Sequence, residues 1–357
     1  MPIKRYNGSD WEVVAGAGAA GAPGTNGTNG TNGSSGAGVN KILNGNFSIW
    51  QRGTSFTPTA ASVYFTADRF YTVVPAATSV TRQTFTPGTA PVAGYEGQFY
   101  MNTTITANAQ NYEAGQRIEN ARTFAGETVT LSFWARSTVG AQALNVGLTQ
   151  YFGSGGSPSA AANATLITGT SPYTPTSSWQ RFTFTFTVPS VAGKTFGTNN
   201  DSFLYVKIFQ YTATTTNTSL DIWGVQLEAG SVATTFQTAT GNPASELAAC
   251  QRYYREMNTQ YGYICSGTSV NGTDTVFALP MPSPMRVNPT LTVSANSDFD
   301  LIGSATRNVT GFNSVGGKNN FAVYAFYTTV ASGQTAGQSA MLFPDGANAR
   351  FILSAEL

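Results

Sequence analysis

Trp179-Gln-Arg-Phe-Thr-Phe-Thr-Phe-Thr-Val188 alternates without a break: Phe182, Phe184, Phe186 and Val188 take every second position and threonines lie between the phenylalanines. A strand turns successive side chains to opposite faces, so this stretch has one apolar and one polar face and reads as half-buried β structure. Thr128-Val-Thr-Leu-Ser-Phe-Trp134 repeats the pattern, with Val129, Leu131 and Phe133 on one face. Phe203-Leu-Tyr-Val-Lys-Ile-Phe209 and Leu220-Asp-Ile-Trp-Gly-Val225 are denser, as more central strands are. Such segments recur over residues 39–241, with residues 153–159 and 214–219 reading as loops. Roughly eight to ten strands at this spacing, with no helical period, predict an all-β antiparallel sandwich or jelly roll.

Toward the C-terminus, Asn242-Pro-Ala-Ser-Glu-Leu-Ala-Ala-Cys-Gln-Arg-Tyr-Tyr-Arg-Glu256 predicts a short linking helix over 242–258. Asn242 is a good N-cap, Pro243 suits the first helical position, and Glu246 complements the dipole. Leu247, Cys250 and Tyr254 fall on one stripe. Residues 259–357 return to strands, among them Tyr261-Gly-Tyr-Ile-Cys265, Thr273-Asp-Thr-Val-Phe-Ala-Leu279 and Asn320-Phe-Ala-Val-Tyr-Ala-Phe-Tyr327. Pro280, Pro282 and Pro284 force an extended connection. A second, smaller β-sandwich is expected here.

Toward the N-terminus the pattern changes twice. Residues 1–17 form a polar head too short for a core of its own, in which Lys4-Arg5-Tyr6 and Trp11-Glu-Val-Val14 flank the hairpin signal Asn7-Gly8. Over residues 18–38, glycine falls at every third place: Gly18, Gly21, Gly24, Gly27, Gly30, Gly33 and Gly36. Period-3 glycine suits a collagen-like triple helix, because only glycine fits where three polyproline II chains meet at the axis. That reading makes the protein a parallel homotrimer with a rod of roughly 60 Å. The other reading is a flexible linker with a reach of about 25 Å. Gly16-Ala-Gly18-Ala-Ala-Gly21 matches a dinucleotide-binding pattern by form alone. More glycine triplets follow it instead of a helix, and the next acidic residue is Asp68.

Composition narrows the chemistry. Charged residues make up 10% and the net charge is +1, which argues against a nucleic-acid footprint. No apolar run is long enough to insert in a membrane. Residues 1–10 do not read as a secretory signal, so a chain made in a reducing cytoplasm is expected. Histidine is absent, which removes histidine triads and the commonest metal ligand. With only Cys250 and Cys265, a four-ligand zinc site cannot form, and the two cysteines read as reduced and packed, with a disulfide the alternative.

Several segments carry a family resemblance. Asn44-Gly-Asn-Phe-Ser-Ile-Trp-Gln-Arg-Gly53, Tyr64-Phe-Thr-Ala-Asp-Arg-Phe70, Gln116-Arg-Ile-Glu119 and Asp221-Ile-Trp-Gly-Val-Gln-Leu-Glu-Ala-Gly230 resemble bacteriophage tail fibre and tail-spike proteins, whose body is similar to jelly-roll carbohydrate-binding modules. Ile3-Lys-Arg-Tyr-Asn-Gly-Ser-Asp-Trp11 resembles the virion-proximal ends of such fibres. The resemblance covers roughly residues 1–256 and implies a virion component made in a bacterial host. Its N-terminus would dock on a tail or baseplate protein, and its receptor would be a bacterial surface polysaccharide or lipopolysaccharide. It needs no cofactor, although such modules can hold a structural calcium, for which Asn44, Asn46 and Asp221 would be ligands. Trp50, Trp134 and Trp223 read as core. The tip, 259–357, is expected to be the receptor-binding part, with Tyr261, Tyr263, Asn271, Phe312 and Asn313 as sugar-contacting residues.

Catalysis would have to come from carboxylates. Glu113 and Glu119 share a strand face but stand roughly 20 Å apart, whereas a glycosidase needs roughly 5 to 9.5 Å. Asp298 and Asp300 pass on spacing, as do Asp10 and Glu12. Non-catalytic glycan recognition fits a chain with 23 Phe, 16 Tyr and 5 Trp among Asn, Gln and Thr. A structural fibre without host contact and a polysaccharide depolymerase are the alternatives.

Overall fold

The computed structural model describes residues 3–15, 39–57, 62–74, 78–92, 94–105, 110–139, 143–163, 173–213, 217–257, 262–315, 323–346 and 348–357. The glycine triplets from Gly18 to Gly36 and Tyr261 lie outside them. The chain divides into two units, Met1–Ser34 and Ser35–Leu357. In the first, β1 (Ile3–Tyr6) and β2 (Trp11–Ala15) pair as the expected hairpin. Asn7 closes it by accepting the Ser9 and Asp10 amides on its side-chain oxygen, and Gly8 takes a φ of +101°. Tyr6 and Trp11 pair across the strands with ring centroids 5.4 Å apart, and both are exposed.

The second unit begins with twelve strands: β3 (Ser55–Phe56), β4 (Ser62–Phe65), β5 (Phe70–Val74), β6 (Thr78–Thr84), β7 (Phe99–Ile105), β8 (Gln110–Glu119), β9 (Thr128–Val139), β10 (Asn145–Tyr151), β11 (Ala162–Asn163), β12 (Gln180–Thr187), β13 (Phe203–Ala213) and β14 (Thr218–Ala229). They form two six-stranded antiparallel sheets, ordered β11-β10-β13-β8-β5-β4 and β12-β9-β14-β7-β6-β3. This is the jelly-roll sandwich expected from the alternation. Phe182, Phe184 and Phe186 of β12 lie opposite Phe133, Leu131 and Val129 of β9. The last five, with Phe182 packed against them, join Val146, Leu148, Leu204 and Val206 of the other sheet in one core. Each such side chain contributes about 1.5–3 kcal/mol on burial.

The alternating residues therefore point away from that core, and on β9 and β14 they build a second cluster. Phe85, Trp134, Trp223 and Phe236 are buried there, with Tyr95, Tyr100 and Trp179 packed around them. Gly224 makes this packing feasible: it sits at φ +67° in the β14 irregularity between Trp223 and Gln226, and a Cβ on it would lie 2.7 Å from the Trp134 ring. Trp50 and Trp134 are 8% exposed and Trp223 is fully buried, so all three tryptophans are packing residues.

The helix α1 (Pro243–Gln251) is shorter than its sequence suggests. Its start is as expected, with Asn242 accepting the Ser245 amide. Its end is not: Tyr254 does not continue the stripe but opens β15 (Tyr254–Met257), which pairs with a strand formed a hundred residues later. Leu247 is exposed and Cys250 is buried.

Nine more strands follow: β16 (Cys265–Ser269), β17 (Asp274–Pro280), β18 (Thr290–Val293), β19 (Phe299–Ile302), β20 (Thr306–Asn308), β21 (Gly311–Ser314), β22 (Val323–Thr329), β23 (Ser339–Pro344) and β24 (Phe351–Ser354). A seven-stranded sheet, β20-β19-β23-β16-β17-β22-β21, faces a three-stranded one, β15-β24-β18, over a core that includes Phe277, Phe299, Phe326, Phe351 and Leu353. One expectation fails here. Asn296–Asp298 is a 3-10 turn and β19 starts at Phe299, so Asp298 and Asp300 do not share a strand face.

The tail after β24 joins this second sandwich to the first. Glu356 pairs with Arg52 at 2.7 Å and with Arg69, whose guanidinium stacks on the Tyr253 ring at 3.4 Å. Arg286 donates to the carbonyls of Ala355 and Glu356. Arg252 donates to Glu119 at 2.9 Å.

Candidate functional site

The first sheet sends Leu204, Val206 and Ile208 of β13 into the core, so Phe203, Tyr205 and Lys207 line its outer face. The same parity places Arg117 of β8, Tyr71 of β5, Tyr151 of β10 and Phe65 of β4 on that face. Register then aligns them into a ladder. Tyr151 lies opposite Phe203 and stacks on it at 4.8 Å. The Arg117 guanidinium is 4.8 Å from the Phe203 centroid and 3.8 Å from that of Tyr71. Tyr71 in turn meets Phe65 edge to face at 5.6 Å. One side chain from each of five adjacent strands thus forms an unbroken aromatic–cation–aromatic row. At about 4.8 Å between strands it crosses roughly 19 Å.

Polar groups border the row. Glu113 pairs with Lys207 at 3.1 Å and accepts the Tyr205 hydroxyl at 3.3 Å. Burial, and next to it the Glu113 carboxylate, hold the Tyr205 phenol well above its ordinary range, so it stays a neutral donor. Arg117 also donates through Nη1 to the Leu357 carbonyl at 2.5 Å, which fixes the one cation of the row from the tail side. Tyr151 is 38% exposed, and Phe203, Arg117, Tyr71 and Phe65 are half-buried. Planar rings presented edge by edge with flanking donors can stack on sugar rings and bind their hydroxyls.

The structure places the residues expected from sequence elsewhere. Phe312 packs against Phe299, Phe326 and Phe351 in the C-terminal core. With Asn313 it lines a groove of about 530 Å³ that also has Asn288, Asn296 and Tyr324 on its walls. Tyr263 is exposed and pairs with Phe343 at 5.7 Å. The side chain of Asn271 is spent on its own turn, accepting the Thr273 and Asp274 amides. Phe312 and Asn313 thus share one groove, which Tyr263 and Asn271 do not line. The suggested calcium ligands do not converge: Asn44 bonds to Ile49 and the Asp68 carbonyl, Asn46 to Ser48 and Tyr95, and Asp221 to Arg136 and Asn102. Among the described residues no group of three or more acidic or cysteine side chains is placed to hold a metal. Glu113 and Glu119 share the outer face, but each is tied to its own cation, Lys207 and Arg252. Cys250 and Cys265 are free thiols.

The ladder had one signal in the sequence. In Phe203-Leu-Tyr-Val-Lys-Ile-Phe209 one alternating set carries aromatics (Phe203, Tyr205, Phe209) while the other is wholly aliphatic (Leu204, Val206, Ile208), unlike the phenylalanine–threonine division of β12. That density reads equally as a central strand, and only the cross-strand register tells the two apart.

Comparison with known proteins bears on this module. Residues 81–200 match the family model described as carbohydrate binding domain. No curated protein matches the chain. Among solved structures, the chain is similar to the family 11 carbohydrate-binding module from Clostridium thermocellum in complex with a β-1,3-1,4-mixed-linked tetrasaccharide, at 12% identity over 50% of this chain and 99% of that one, with a TM-score of 0.27. The tandem CBM22-1–CBM22-2 domain of Paenibacillus barcinonensis Xyn10C is similar at 12% identity over 85% of this chain and 93% of that one, with a TM-score of 0.28. The enzymatically active domain of bacteriophage CBA120 tailspike protein 4 is similar at 12% identity over 54% of this chain and 22% of that one, with a TM-score of 0.29.

Proposed function

We propose that this protein is a bacteriophage virion fibre that attaches to a bacterial surface polysaccharide or lipopolysaccharide through the outer face of its first sheet, without catalysis. The observation that carries the reading is the five-strand ladder of Tyr151, Phe203, Arg117, Tyr71 and Phe65. It is built on a module part of which matches a carbohydrate-binding family. A shallow aromatic face binds weakly per site, so three copies on a glycine-triplet trimer would gain about 10² to 10⁴ by avidity. The exposed Tyr6–Trp11 hairpin ahead of the triplets supports its assignment as the end that docks on a tail or baseplate protein. Glycan recognition is assigned here to the body rather than the C-terminal tip, because the ladder is continuous over five strands while only Phe312 and Asn313 of the described tip candidates share a groove.

The test is binding of the purified full chain to a panel of host surface polysaccharides, comparing the parent with Tyr151→Ala and Phe203→Ala. Each variant removes a half-buried or exposed ring, and a loss of about 1–2 kcal/mol, roughly five- to thirtyfold in affinity, is expected at unchanged melting temperature. Unchanged binding by both would move the site off this face. Chain-length analysis of the same polysaccharides after incubation should give no shortening, and release of oligosaccharides would favour the depolymerase.

A second reading has one observation behind it. The 530 Å³ groove of the C-terminal sandwich gathers Asn288, Asn296 and Asn313 beside Tyr324. Asn313→Ala and Asn288→Ala should leave binding unaltered if the ladder is the receptor face.

A further inference from the structure

The outer face of the second sheet carries a different arrangement beside its aromatic cluster, against which Trp179 and Tyr100 are partly packed. Cross-strand register puts Arg136 of β9, Asp221 of β14, Asn102 of β7 and Thr81 of β6 on one transverse rung. The side chains of Arg136, Asp221 and Asn102 form one network, while Thr81 accepts from Gln83. Arg136 Nε donates to Asp221 Oδ2 at 2.7 Å, Asn102 Nδ2 to Asp221 Oδ1 at 2.6 Å and to Ser219 Oγ at 2.9 Å, and Thr104 Oγ1 to Asn102 Oδ1 at 3.2 Å. Trp179, next before β12, stands at the end of the rung with its ring 4.9 Å from the Arg136 guanidinium. Tyr100 meets that ring edge to face at 5.4 Å and accepts from Arg136 Nη2 at 3.2 Å.

Beside the rung this face is closed by rings. Trp134, Trp223 and Phe236 are buried in the aromatic cluster. The rung is different: Trp179, Tyr100, Asn102 and Arg136 are half-buried and Thr104 is exposed. Asp221 beneath it is buried, and Arg136 and Asn102 satisfy its carboxylate. Beyond that structural role, the network supplies preorganised valence. Nη1 of Arg136 makes no hydrogen bond among the described residues, and Asn102 Oδ1 has one donor where it can take two. A ring wall beside a flat row of fixed donors and acceptors, with the Arg136 charge cancelled by Asp221, suits a neutral polyol with one apolar face.

We propose that this rung is a second saccharide subsite, which takes one neutral pyranose unit: its apolar face packs on Trp179, and its hydroxyls bond to Arg136 and Asn102. The subsite lies on the opposite sheet from the ladder and does not depend on it. A chain with both would hold two glycan strands at once, one on each face.

The test uses full-length protein in which the five tryptophans carry a fluorine label, giving five resolvable resonances with that of Trp179 identified by Trp179→Phe. Methyl glycosides of glucose, galactose, mannose, rhamnose and N-acetylglucosamine are the probes, each titrated to about 50 mM, a range that saturates a site of millimolar affinity. One or more should shift the Trp179 resonance saturably, and the shift should persist in Tyr151→Ala/Phe203→Ala. Asn102→Ala should weaken it by about tenfold or more. Should that variant lose the dispersed spectrum of the folded chain, Arg136→Lys, which keeps the charge opposite Asp221 but removes the planar fork, replaces it with the same expectation. A Trp179 resonance unmoved by every probe overturns the proposal, as does a shift that vanishes with the ladder variant or survives loss of the network. Failure of the ladder appears separately, as polysaccharide binding untouched by Tyr151→Ala and Phe203→Ala.

Discussion

Cys250 and Cys265 show how single side chains set a condition on stability. Burial raises both thiols, Cys265 to about 12 and Cys250 well above its ordinary range, because a thiolate loses its hydration there. An unfolded thiol ionises near about 8.5. The folded pKa therefore lies above the unfolded one, so the contribution is intact below about pH 8.5 and is lost as pH climbs toward 12. Urea midpoints should fall steadily from pH 8.5 upward, and Cys265→Ser should flatten that decline. The native thiols should also react slowly with a thiol reagent until urea is added. A pH-independent midpoint between 8.5 and 10.5 would contradict this account.

At the scale of elements, the tail after β24 joins the two sandwiches. Glu356 answers two arginines, Arg52 and Arg69, and Arg69 is 1% exposed. Its guanidinium is lowered to about 10 by burial, with the Tyr253 ring packed on it. Removing the carboxylate leaves a buried cation unpaired, which costs about 3–5 kcal/mol. Glu356→Ala should lower the denaturation midpoint accordingly. Because the contact lies between the sandwiches, it should also split one unfolding transition into two. A single transition with an unchanged midpoint would mean that the tail is passive. The helix belongs to the same joint. It ends at Gln251 because Tyr254–Met257 pairs with Phe351–Ser354, a partner distant in sequence whose hydrogen bonds and core contacts outweigh helical propensity.

The whole molecule raises the question of copy number. The Tyr6–Trp11 hairpin is a two-stranded sheet with exposed rings, and such a sheet is marginal alone in water. Period-3 glycine directly after it provides a reason for three hairpins to meet. Sedimentation should give about three times the 37.5 kDa mass of the chain. Gly27→Val should lower the melting temperature of the triplet region while the body transition stays in place. A monodisperse monomer would return residues 18–38 to a flexible linker and remove the avidity argument.

By itself the sequence determined the all-β class, the inward faces of β9 and β12, the Asn7-Gly8 hairpin, the Asn242 cap and the burial of Trp50, Trp134 and Trp223. Each of these follows from interactions a few residues long: alternation at period 2, a turn residue, a capping oxygen. The binding faces were beyond that reach. Tyr151, Phe203, Arg117, Tyr71 and Phe65 span well over a hundred residues of chain, and so do Trp179, Arg136, Asp221, Asn102 and Thr81. Neither row has a local spacing that would reveal it. The ladder exists because register sets β10, β13, β8, β5 and β4 side by side, and a slip of one residue would turn any of these rings into the core. The same holds for Asp298 and Asp300, which look paired at period 2 until a 3-10 turn separates them. Cross-strand pairing is a property of the folded sheet, so the tertiary structure alone decided that these aromatics line up as surface rows.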